Sequence, residues 1–138
     1  MWVLVDLEAG IQNIDQAQRL MQHPQVTEDP QVLNALGIAL LLTNRPRRAE
    51  DLFKQSIKLC DEIVAQSPSG YEAYYHKMIA LAGLLVFDQA EILMERSLSL
   101  CRAKGVVASA LEKLNLLARN PKSPEEIKLL ISWLQEYS

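Results

Sequence analysis

Residues 44–60, NRPRRAEDLFKQSIKLC, decide the fold. Asn44-Arg45 reads as a turn. Pro46 suits the first turn of a helix, where its missing N–H breaks no bond. Ala49, Leu52, Phe53, Ser56, Ile57 and Cys60 then recur at helical spacing, and Ile63 and Val64 continue the face. Glu50, Lys54, Lys58, Asp61 and Glu62 take the other side. This is the pattern of a helix packed along one stripe, and it predicts a long helix to about Gln66. Glu50 and Lys54 form a favourable i,i+4 pair, worth a few tenths of a kcal/mol.

The same figure returns along the chain. Ala90, Met94, Ser97 and Cys101 follow Ala49, Phe53, Ser56 and Cys60 at a constant 41 residues, and Ala17 and Met21 precede Ala49 and Phe53 by 32. Such self-similarity marks a stack of helical hairpins, because a lone hairpin cannot bury its apolar face and a stack can.

Working outward, residues 1–8 are apolar and acidic, and residues 10–13 form a turn. Residues 14–22 carry Ile14, Ala17, Leu20 and Met21 on one side. A loop with Pro24 follows. Asp29-Pro30 opens a helix to about Thr43 through Leu33, Leu36, Gly37 and Leu40, with Asp as the cap. Gly37 costs ~1 kcal/mol of helix propensity against Ala, which makes sense if another helix passes close to its backbone. Residues 71–85 are predicted helical. Residues 87–103 repeat the long helix, with Phe87, Ala90, Leu93, Met94, Ser97, Leu98 and Cys101 inward. Lys104-Gly105 reads as a cationic last turn and a glycine stop. Residues 106–119 form another helix. Ser123-Pro124-Glu125-Glu126 is a capping box, and the last helix runs to about Glu136 with Ile127, Leu130, Ile131 and Leu134 on one face. The expectation is an all-α chain of about eight helices and no strand.

The remaining composition narrows the class. The 138 residues suit one domain, and 49% are apolar. A net charge of −3 and a pI near 5.4 give no general nucleic-acid or membrane footprint. The longest apolar run, around residues 36–42, is far short of the ~18–20 residues that a bilayer needs. Asp6 and Glu8 interrupt the apolar start, so no signal peptide is expected. Cys60 and Cys101 sit at equivalent places in two repeats. Stacked helix axes ~8–10 Å apart would hold them beyond disulfide reach, as expected of a reduced cytoplasmic protein. Arg45, Arg47 and Arg48, beside Glu50 and Asp51, read as a solvated turn rather than a phosphate site. Asp15 and Asp88 read as caps. Neither His23 nor His76 has a partner at metal-ligand spacing. No phosphate-loop, dinucleotide or zinc-protease motif is present, so no catalytic residue, cofactor or metal is expected.

Leu33, Leu36, Gly37 and Leu40, with Ala49, Phe53 and Ser56 after the short Asn44-Arg45-Pro46 turn, resemble the tetratricopeptide-repeat (TPR) family, whose unit is two antiparallel helices. Tyr74, Leu81, Ala90 and Met94 fit less fully, since Lys77 and Met78 replace the Leu-Gly pair. The long second helices and the missing closing proline depart from the family. The resemblance implies one domain of hairpins stacked as a right-handed solenoid, with approximate repeats at 1–29, 30–67 and 68–104 and a final pair or cap at 105–138.

It also implies a non-enzymatic adaptor or chaperone-like module whose first helices line a concave groove. The groove positions would be Asn34, Ile38 and Leu41, then Tyr75, Ile79 and Ala82. This lining is apolar, with Asn34 and Tyr75 as polar handles, and suits a partner's helix or peptide. The competing expectation is that these residues meet a neighbouring helix or a second copy of the chain. Two further readings are a repeat region cut from a larger enzymatic or regulatory protein, and a stand-alone enzyme using Asp88, Glu91 and His76. Tyr74 is expected inside, and Trp133 at a dimer contact or over the stack's edge.

Overall fold

The structure, a computed structural model, describes residues 29–138. Six α-helices occupy this span: α1 (Pro30–Leu42), α2 (Pro46–Gln66), α3 (Tyr71–Gly83), α4 (Phe87–Leu100), α5 (Lys104–Ala118) and α6 (Glu126–Gln135). No strand occurs among the described residues. Six helices were expected here. The other two expected segments, residues 1–8 and 14–22, and the first repeat with its Ala17, Met21 and Asp15, lie outside the described residues.

α1 and α2 form one hairpin, α3 and α4 a second, and α2 packs broadly on α3. The two hairpins share their turn, bond for bond. Arg45 N–H donates to the Leu40 carbonyl at 2.8 Å, and Val86 N–H donates to the Leu81 carbonyl at 2.9 Å. Asn44 and Leu85 both adopt the left-handed conformation, at φ 64° and 65°. This closure ends a helix by satisfying its last carbonyls. Ala49 and Ala90, Phe53 and Met94, and Ser56 and Ser97 are all fully buried. The 41-residue repetition is therefore physical as well as textual.

Phe53 explains Gly37. A Cβ added at Gly37 would lie 2.8 Å from one edge of the Phe53 ring, and one added at Gly83 would lie 2.7 Å from the other. The ring of α2 is wedged between the bare backbones of α1 and α3.

Four local expectations are corrected by the structure. α4 stops at Leu100, and Cys101 is extended rather than helical. The Cys101 carbonyl accepts from Tyr75 Oη at 2.5 Å, and Arg102 Nε donates back to the Leu98 carbonyl at 3.0 Å. Those contacts take the groups that another helical turn would have used. Lys104-Gly105 accordingly begins α5 instead of ending α4. The capping box at Ser123 does not form, since α6 starts without a side-chain cap. Asp88 is a first-turn residue whose Oδ1 accepts from Gln89 N–H at 2.9 Å, not the cap, which is Val86. By contrast Asp29 caps α1, accepting from Gln31 N–H at 3.0 Å.

The third pair is placed differently from the first two. α5 lies against both α1 and α3 and makes little contact with α4, which immediately precedes it. α6 covers α5 and touches α4. Its expected face of Ile127, Leu130, Ile131 and Leu134 is buried.

Candidate functional site: the face shared by α1 and α3

The expected groove residues come together, but not as an open groove. Asn34, Ile38, Tyr75, Ile79 and Ala82 are buried, and Leu41 is half-buried. Where an open lining was expected, α1 and α3 carry α5 across them, with Val107, Ala110, Leu114 and Leu117 buried. The expectation that these residues meet a neighbouring helix matches this arrangement.

The two polar handles serve the fold. Asn34 Nδ2 donates to the His76 carbonyl at 2.9 Å, which ties α1 to α3. Its Oδ1 is buried with no partner among the described residues. Burial pushes the Tyr75 phenol up to about 12, with the Cys101 thiol adding to the rise, so it stays protonated and keeps donating to the Cys101 carbonyl. Tyr74, expected inside, is half-buried. Its hydroxyl donates to the Pro68 carbonyl at 2.9 Å, and Arg96 lies 5.7 Å from its ring centre. Trp133 is half-buried against the core.

An accessible remnant persists at the N-terminal ends of α3 and α5. A cleft of about 270 Å³ is lined by Gln31, Tyr71, Glu72, His76, Ser109 and neighbouring apolar residues, Tyr75 and Ile79 among them. Burial holds His76 below its usual pKa, opposed by the charges of Asp29 and Glu72 and assisted by that of Lys113. The Glu72 carboxylate raises the Tyr71 phenol. Tyr71, Glu72, Tyr75, His76 and Ile79 share one face of α3 at i,i+4 spacing. Extending the Tyr75–Ile79 register one turn back would have found Tyr71 and Glu72. Ser109 carried no such signal, because its helix could not be placed against α3 by local pattern.

Other side chains carry less chemistry. Burial pushes the Cys60 thiol up to about 12, which leaves it unreactive. Cys101 is partly exposed rather than buried, and both cysteines are free. Arg45, Arg47 and Arg48 are exposed on the first turn. No group of three metal-ligating side chains occurs among the described residues. No described helix is long and apolar enough to cross a membrane. Comparison with protein-family models, curated proteins and solved structures finds no match.

Proposed function

We propose that this chain is a non-enzymatic protein-interaction module of stacked, TPR-like helical hairpins, an adaptor or chaperone-like scaffold acting in the cytoplasm. It recognises a partner's helix along the face shared by α1 and α3. The observation that carries the reading is the 41-residue equivalence of the two hairpins, seen in their turns and in their buried Ala, aromatic or Met, and Ser positions. Stacked repeat units of this kind create extended surfaces suited to binding. The shared face is apolar, as a helix-in-groove partner requires. The cleft beside Tyr71, His76 and Ser109 gives such a partner an accessible starting point.

A photo-crosslinking residue at Ser109, exposed at the cleft, tests the reading in cells. It should capture a discrete protein partner, while the same residue at Lys54, exposed on the outer side of α2, should not. Equal capture at both positions, or none at either, refutes it.

A further inference from the structure

The helix that fills the α1/α3 trough belongs to the chain itself, and three observations describe how it is seated. Its apolar side chains, Val107, Ala110, Leu114 and Leu117, follow the spacing of an amphipathic helix docked on a groove, and all are buried. The seat is imperfect. Lys113 is 4% exposed and has no ion pair among the described residues, and burial lowers its pKa. Asn34, 1% exposed on α1, bonds to α3 through Nδ2, and its Oδ1 has no partner among the described residues. Desolvating part of the Lys113 amine opposes closure of α5, and the Asn34 oxygen adds a cost to the packing of α1 on α3. Finally, α5 is tethered rather than wedged. Residues 101–103 are non-helical, α4 hardly touches α5, and the contact between α4 and α6 is slight. α2, by comparison, packs heavily on both α1 and α3.

We propose that α5, carried with α6, is an intramolecular ligand of the α1/α3 trough, displaced by a partner's amphipathic helix that presents aliphatic side chains at the spacing of Val107, Ala110, Leu114 and Leu117. This rests on the interaction-module reading above and names the partner's chemistry and its regulation. Residues 102–103 are the hinge. The Tyr75–Cys101 hydrogen bond stays on the fixed side of it and marks where opening stops. A tethered helix competes at an effective concentration of the order of mM. The apparent affinity for a partner is therefore the intrinsic affinity reduced by the fraction of chains that are open. A partner helix with an apolar residue in place of Lys113 avoids desolvating an amine and so outcompetes α5.

The probe is a labelled peptide of residues 104–118 carrying Lys113→Leu, titrated onto the full chain by fluorescence anisotropy. Leu114→Glu in the chain should loosen α5 and tighten peptide binding by at least about tenfold over wild type. Lys113→Met, which removes the partly desolvated amine without cutting the apolar face, should hold α5 closed and weaken peptide binding below wild type. It also serves as the second variant, should Leu114→Glu fail to fold. In the unmodified chain, amides of α5 and α6 should exchange with deuterium together and faster than those of α1–α4.

If wild type and both variants bind the peptide equally, α5 is not a competitor, and the trough reading survives without it. If a Leu114→Glu chain that keeps the circular dichroism of α1–α4 binds no peptide, the trough is not a binding surface and both readings fall. If the loosened chain instead forms a dimer through exchanged α5 helices, the occupant is a second copy, which overturns the partner proposal. Exchange of α5 only on global unfolding overturns it as well.

Discussion

The first two hairpins follow the same backbone plan with different side-chain solutions. In the first, a glycine on α1 faces an aromatic ring on α2. In the second, Met78 stands at the place of Gly37 and Met94 at the place of Phe53, and both are fully buried. A rigid ring demands bare backbone beside it, whereas flexible thioether chains fill an irregular gap. The turns differ likewise. Asn44 tolerates the left-handed conformation, while Leu85 adopts it with 58% of its surface exposed. At a third position Ala35 corresponds to the titratable His76. The repeat therefore conserves backbone geometry and buried small residues and leaves volume, strain and charge free to vary.

The largest expected effect breaks the packing contrast. Phe53→Ala should destabilise by about 3–5 kcal/mol, more than Met94→Ala, because two glycine backbones offer no side chain to relax into the void. Urea titrations measure both, and equal losses would mean that the ring is not the wedge. A smaller effect sharpens the turn contrast. Leu85→Asn should stabilise by about 1 kcal/mol by relieving left-handed strain, and Asn44→Leu should cost a similar amount. Thermal melts with neither shift would show that the two turns tolerate any residue.

The smallest effect concerns protons. His76 titrates below the usual imidazole value of 6.5 because burial penalises its charged form, with Asp29, Glu72 and Lys113 as the neighbouring charges. The unfolded chain then binds more protons than the folded one as the pH falls below 6.5. Stability present above that pH should be lost on acidification toward the folded pKa. His76→Ala, the first hairpin's solution, should flatten the slope of stability between pH 7 and 6 relative to wild type. Parallel slopes would place the imidazole in water.

What was legible in the residues was whatever depends on local spacing. Ala49, Phe53 and Ser56 recur as Ala90, Met94 and Ser97 because each hairpin solves the same crossing problem. Asp29-Pro30 and Pro46 announced their helices because caps act over one turn. The candidate site was legible only as a face. Asn34 and Tyr75 looked like solvent-facing handles, since a polar group on an apolar stripe reads as wet. Each instead bonds a backbone carbonyl contributed by a distant part of the chain. The seat of α5 had no local signature, because it depends on which of two apolar faces wins the helix. For the same reason, Lys104-Gly105 read as a terminus and proved to be a beginning.

The Phe53 ring has one more consequence. With backbone pressed on both edges, it has no room to turn over in place, so each half-rotation requires α1 and α3 to part for a moment. Its rate of reversal, visible as separate or merged resonances for the two sides of the ring, is a clock that counts how often these helices breathe.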